Sequence, residues 1–248
     1  MMPEQPREEA RSLCDFDVFT FDCYGTLIDW ETGILRALEP LLRRLDPRPT
    51  EDEILALHGR FESMQQEQTP TKTYRAVLEV VYRRLAEHWG VVPTREGAKR
   101  YAQSVGDWPA FDDSANALRD LGQVGKLIIL SNVDNRSFQR SNDRLGVAFD
   151  AIYTAEDIGS YKPSRRNFEY MLARLDEQDV ARSRILHVAE SLFHDHVPAL
   201  ELGLQTCWIH RRAKKGGFGA TREPKGRPEP TFRFESMAEF VAAVRATA

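Results

Sequence analysis

From residue 108 onward, short apolar runs alternate with amphipathic ones. KLIILSN (126–132), AIYTA (151–155), ILHVAE (185–190) and TCWIH (206–210) are separated by helical patterns such as SFQRSNDRLG and RNFEYMLARLD. Apolar strands joined through helices demand a parallel sheet covered on both faces, because each crossover lays its helix on the sheet. DVFTFD (17–22) reads as one more such strand, ending on an acidic residue ahead of the turn-prone Gly25. Between it and the others stand GILRALEPLLRRL, TEDEILALHGRFESMQQEQ, TYRAVLEVVYRRLAEHWG and TREGAKRYAQSVG, with apolar residues three and four apart and Pro- or Thr-containing breaks. The expected fold is α/β, a Rossmann-like parallel sheet core with an inserted all-helical cap. The expected domains are a polar tail over 1–13, a core from 14–30 and 108–248, and a cap over 31–107.

The chain has 248 residues, 42% of them hydrophobic, enough for a large core. With 34 basic and 38 acidic side chains its net charge is -4, which leaves no electrostatic footprint for nucleic acid or an anionic membrane. A small-molecule substrate is the expected partner. Cys14, Cys23 and Cys207 are odd in number and form no CxxC pair, as reduced thiols would be. The polar start, MMPEQPREEARS, lacks the apolar segment of a signal peptide, and no run of 18 apolar residues occurs, so a cytoplasmic location is expected. RRAKKGGFGATREPKGRPEP (211–230), rich in Gly, Pro and basic residues, is expected to be a solvated loop.

In such sheets ligands bind beyond the carboxyl ends of the strands. Asp22, Ser131 and Glu190 each stand at such an end. Taken singly they have plainer readings: Asp22 can brace a turn, Ser131 and Asn132 can cap the next helix, and Lys162 before Pro163 can be a surface lysine. Cys23, next along the strand from Asp22, should point to the opposite face. His194 and His196, two apart at a helix start, do not share a face for a metal.

FDCYGTL, LIILSN, YKPS and HVAESLFHDHVPA, in that order and with a helical block after the first, resemble the haloacid dehalogenase superfamily of hydrolases. The likeness spans about residues 14 to 240, and Tyr24 is similar to the 2-haloacid dehalogenase branch. It implies hydrolytic dehalogenation of short 2-haloacids through a covalent ester on Asp22. Lys162 would neutralise and orient that carboxylate, Thr26 would support it, and Asp195 would complete the catalytic set. Tyr24, Ser131, Asn132 and Ser191 would bind substrate, with Arg60 of LHGRFE as the cap arginine that cradles the halide. No metal or other cofactor is implied, and a homodimer is compatible with the likeness.

The rival from the same superfamily is a magnesium-dependent phosphatase. AESLFHD is similar to the GDSxxND of those enzymes, so Asp22, Tyr24, Glu190 and Asp195 would then hold the ion. Position 24 favours the dehalogenase. Phosphatases of the superfamily carry DxD, whose second Asp protonates the departing alcohol, whereas halide leaves without a proton. A non-enzymatic binding module is the third class, and it has no use for a nucleophile with its counter-ion.

Overall fold

A computed structural model describes residues 11–247. The polar tail expected over 1–13 falls mostly outside them, and Leu13 at its end is already buried. The sheet contains β1 (Val18–Phe21), β2 (Lys126–Ser131), β3 (Ala151–Thr154), β4 (Ile185–Ala189), β5 (Gln205–Ile209) and β6 (Phe232–Phe234), in the order β3-β2-β1-β4-β5-β6. Every pairing is parallel. β6 has no counterpart in the sequence reading, because its three residues, FRF, follow a Pro-rich stretch and are too few to show a period.

All residues of β1 and β4 are buried. Alternation sends Val18 to one apolar cluster, with Leu130, Phe168 and Ile185, and sends Phe19 and Phe21 to another that continues through Leu27 and Ile34 into the helices after β1. Phe21 pairs with both Ile129 and Val188, so the strand ends carrying Asp22, Ser131 and Glu190 lie side by side. Chain order reverses across β1, where a parallel sheet opens a crevice.

Helices α1 (Trp30–Leu42), α2 (Glu51–Gln68), α3 (Tyr74–His88) and α4 (Arg95–Gln103) follow β1 in succession, and α5 (Ser114–Leu121) leads into β2. Thr50 caps α2 reciprocally with Glu53, whose carboxylate accepts from the Thr50 backbone N–H at 2.8 Å. The chain leaves and re-enters the sheet unit at one place: Asp29 N–H donates to Pro109 O at 2.8 Å, and Ile28 bridges Ala110. Gly33 of α1 is pressed against Trp108 there, and a Cβ at Gly33 would lie 2.2 Å from the indole. Helices α6 (Asn135–Leu145), α7 (Ala155–Ile158), α8 (Arg165–Asp176) and α9 (Val197–Glu201) complete the crossovers, and α10 (Met237–Thr247) follows β6. Among the described residues no helix is long and apolar enough to cross a membrane.

Segment 211–230 is irregular and mostly exposed, as expected of a solvated loop, but it is pinned at a few buried points. Arg212 is buried, with Nη1 2.5 Å from Glu31 and Nη2 2.7 Å from Asp52. Ala220 O lies so close to α2 that a Cβ on Gly59 would meet it at 2.1 Å, and Arg222 pairs with Glu67 at 2.7 Å. The segment is a strap from the sheet to α2. Arg212 meets Glu31 and the acidic first turn of α2, and Arg222 meets Glu67 near the other end of that helix, a complementarity that composition alone does not reveal.

Candidate active site

Asp22 follows β1 directly. Gly25, at φ +98°, allows the tight turn behind it, in which Gly25 N–H donates to Ile28 O at 2.8 Å. That turn returns Thr26 to Asp22: Thr26 Oγ1 donates to Asp22 Oδ2 at 2.8 Å and accepts from Glu190 N–H at 2.9 Å. One hydroxyl thereby ties the ends of β1 and β4 together.

Lys162 arrives from the opposite side, 1% exposed, and its three N–H bonds are all spent: Asp22 Oδ1 at 2.9 Å, Asp195 Oδ1 at 2.6 Å and Leu130 O at 2.8 Å. Asn132 fixes its backbone from both sides, Oδ1 accepting from Lys162 N–H at 2.7 Å and Nδ2 donating to Lys162 O at 3.0 Å. The amide expected to hold substrate is thus chiefly a clamp on the lysine loop. Asp195 sits on a π-helical turn, Leu192–His196, whose extra residue turns its carboxylate inward. His187 Nε2 lies 3.0 Å from Asp195 Oδ1 while its Nδ1 meets Thr20 Oγ1 at 2.8 Å, an arrangement satisfied by an Nε2–H tautomer. His187 escaped the sequence reading; its signal was a lone polar residue inside the fully buried strand β4.

Burial raises the pKa of Asp22; Lys162 pulls against it, and the neighbouring Asp195 adds to the rise. Asp195 is buried too, yet Lys162 and His187 hold it well below the usual carboxylate range. Lys162 is held charged: burial works against its ammonium, and the two carboxylates outweigh it. Two anions therefore share one cation.

Asp22, Asn132, Lys162, Ser191, His194 and Asp195 form the sheet side of a cavity of about 30 Å³, room for about one or two waters. Tyr24 and Trp30 line its edge, and Glu62, Gln66 and Tyr74 close it from α2 and α3. The Tyr24 hydroxyl is turned away to Ser141 Oγ at 2.7 Å and its ring packs edge-on to Trp108; burial lifts its pKa well above the ordinary value. Ser191 caps the π turn through His194 N–H at 3.0 Å. Ser131 Oγ is buried without a hydrogen-bond partner, and Ser131 is not among the residues that line the cavity. Glu62, 2% exposed, accepts from Tyr74 Oη at 2.6 Å, and burial pushes its carboxyl up to about 7.

Two expected residues stand elsewhere. Arg60 is exposed on the outer side of α2, beside a surface depression with Glu53, Leu57 and Trp89, because it lies two positions from Glu62 and so on a different helix face. Glu190 lines a separate cavity with Glu31, Arg211 and Arg212, where burial first, and then the charge of Glu31, push its carboxyl up to about 8. Of the carboxylates expected for magnesium, Asp22 and Asp195 meet at Lys162 while Glu190 faces the other cavity, and among the described residues no three His, Cys, Asp or Glu side chains gather to hold a metal ion. Cys23 is fully buried, and His196 turns back to Ala189 O at 3.0 Å.

Known proteins resemble this chain in sequence and fold. The pyrimidine 5'-nucleotidase YjjG of Escherichia coli is 31% identical over 110 residues, 43% of this chain, which spans about half (47%) of that relative's length. An (S)-2-haloacid dehalogenase of Pseudomonas putida is 25% identical over 202 residues, covering 77% of this chain and 83% of that protein. Among solved structures, the L-2-haloacid dehalogenase of Xanthobacter autotrophicus with chloropropionic acid covalently bound superposes with a TM-score of 0.75 at 18% identity, covering 94% of this chain and 100% of that one. The family model of haloacid dehalogenase-like hydrolases matches residues 16–192, from the strand before Asp22 to the π turn that carries Asp195. With that match running over well more than half its length, the chain belongs to the haloacid dehalogenase-like hydrolases.

Proposed function

We propose that the protein hydrolyses the carbon–halogen bond of short 2-haloacids through an ester on Asp22. The observation that carries this reading is Tyr24. A hydroxyl bonded to Ser141 and resistant to ionisation stands where an alcohol-releasing site would carry a carboxylic acid, which suits a leaving group that departs without a proton. The dehalogenase relative and the likeness to a dehalogenase structure agree with it.

In the first step a carboxylate oxygen of Asp22 attacks C2, the C–O bond forms as the carbon–halogen bond breaks, and halide leaves with the electron pair. Lys162 orients the attacking oxygen. In the second step water attacks the Asp22 carbonyl, giving the 2-hydroxyacid and restoring the carboxylate. Asp195, ionised and with Oδ2 unpartnered, is placed to take the proton from that water.

The phosphatase alternative draws on the nucleotidase relative and on the unpartnered Asp195 Oδ2, and is opposed by the placement of Glu190. Halide release from chloro- and bromo-acids and phosphate release from a panel of monoesters, each with and without chelator, separate the two. Halide release that survives chelator is expected; chelator-sensitive phosphate release with no halide release would overturn the reading.

A further inference from the structure

In-line displacement fixes where a leaving group goes. Asp22 attacks from the sheet side, so the halide departs towards the opposite wall, made by Glu62 and Gln66, one turn apart on α2, and by Tyr74 of α3. A departing anion needs donors there. Cations do not supply them: Arg60 stands outside, and among the described residues lining the cavity Lys162 is the one full cation, its three N–H bonds spent on Asp22, Asp195 and Leu130. His194 belongs to the sheet side and is held neutral, burial lowering it to about 4.

The wall offers a neutral acid instead. Glu62 is buried with no cationic partner among the described residues, and burial pushes its carboxyl up to about 7. Tyr74 Oη donates to Oε1 at 2.6 Å, which leaves the acid proton to Oε2, an oxygen with no hydrogen bond among the described residues. Gln66, also buried, has its side-chain amide N–H groups unspent among them. The groups around Glu62 leave that proton in place. His58, one turn earlier, is neutral, burial lowering it to about 3, while burial raises Tyr74, Tyr101 of α4 and Tyr161 so that none of the three ionises. Across the cavity, Asp22 and Asp195 already share Lys162.

We propose that Glu62 is a catalytic residue for the leaving group: its carboxylic O–H, with the Gln66 amide N–H beside it, donates to the halide as it departs from C2. The inference rests on the proposed attack of Asp22 on C2 and names the group that receives what that attack expels. The C–O bond forms on one face of C2, the carbon–halogen bond breaks on the other, and the halide takes the electron pair. Glu62 keeps its proton and shares it as a hydrogen bond, strong because the acceptor is an anion in a cavity with little water. Ionised, the same carboxylate would repel the halide. Fluoride accepts hydrogen bonds best and bromide worst, so this donor helps 2-fluoroacids most.

The test measures halide release from 2-fluoro-, 2-chloro- and 2-bromopropionate by the intact protein, Glu62→Gln and Glu62→Leu. The intact protein should release all three halides. Glu62→Leu should lose fluoride release by about a hundredfold or more and bromide release by about tenfold or less, with Glu62→Gln between. Above pH 7 the intact kcat/KM should fall about tenfold per pH unit as Glu62 ionises, and Glu62→Gln should lack that limb. Equal losses for the three halides, a limb that Glu62→Gln retains, or chloride release without fluoride release would overturn the proposal. Carbon-13 titration of the Glu62 carboxyl decides it without turnover. Sodium fluoride or chloride should move that titration to higher pH relative to sodium sulfate of equal ionic strength, and an unmoved titration refutes the assignment. If no haloacid is turned over while halide still moves the titration, the attack on C2 is wrong and the halide site at Glu62 stands.

Discussion

The ammonium of Lys162 lies 2.9 Å from Asp22 Oδ1 in a setting where both side chains are almost wholly removed from water. The same ammonium is 2.6 Å from Asp195 Oδ1, so it is the counter-ion of two buried carboxylates at once. Replacing Lys162 with Met therefore strands two anions, and breaking a buried pair in this way costs about 3–5 kcal/mol. Lys162→Met should lower the urea midpoint markedly and slow the chemical step by about a hundredfold or more, since the nucleophile loses its orientation as well as its charge partner. A variant with normal stability and a changed KM alone would assign Lys162 to substrate capture.

Asp195 raises the pKa of Asp22 by like charge. Removing that charge favours ionised Asp22, so the acid limb of the kcat/KM profile in Asp195→Asn should move to lower pH even as the rate falls. A limb that stays in place, or moves up, would show that the limb belongs to another group.

Glu62 links pH to stability. Its carboxyl goes from the ordinary 4.5 to about 7 on burial, so the folded state favours the protonated form. That contribution is fully present below about pH 4.5 and is lost as pH rises through 7. The loss is about 3 kcal/mol. Glu190, raised to about 8, extends the decline upward. Chemical denaturation across pH 4.5–8.5 should show falling stability that Glu62→Gln makes shallower. Identical slopes in the two proteins would contradict the burial argument.

Those pKa shifts arise from packing, and that is the part the sequence hides. The order of the apolar strands and the helical block after β1 made the parallel sheet legible, and Asp22, Thr26, Lys162 and Asp195 do gather at its carboxyl edge because strand ends in such a sheet must. Arg60 was misplaced because helical phase around the α2 axis decides which side chain faces the sheet, and two positions along a helix turn a residue far round it. Glu62 was one phase away and went unnoticed, since a Glu on a helix is ordinarily solvated. Glu190 stood at the right strand end, yet its side chain points into the neighbouring cavity. The strap was hidden because a Gly- and Pro-rich composition does not say what its arginines touch.

Arg212 of that strap holds Glu31 of α1 and Asp52 of α2. Arg212→Gln takes away the close ion pairs of Glu31 and Asp52 and loosens the helices that roof the cavity. Hydrogen exchange should rise through α2, which carries Glu62 and Gln66, while β1 and β4 stay protected. Unchanged exchange in α2 would show that the strap does not restrain it.

The ester on Asp22 is the central claim, and a single turnover in heavy-oxygen water tests it most directly. With enzyme in excess over a 2-chloroacid, water attacks the Asp22 carbonyl, so mass spectrometry of the proteolysed protein should find one heavy oxygen in the peptide containing Asp22, and the 2-hydroxyacid product should carry none. Label in the product with none in Asp22 would mean that water attacks C2 itself, and the ester mechanism would be wrong.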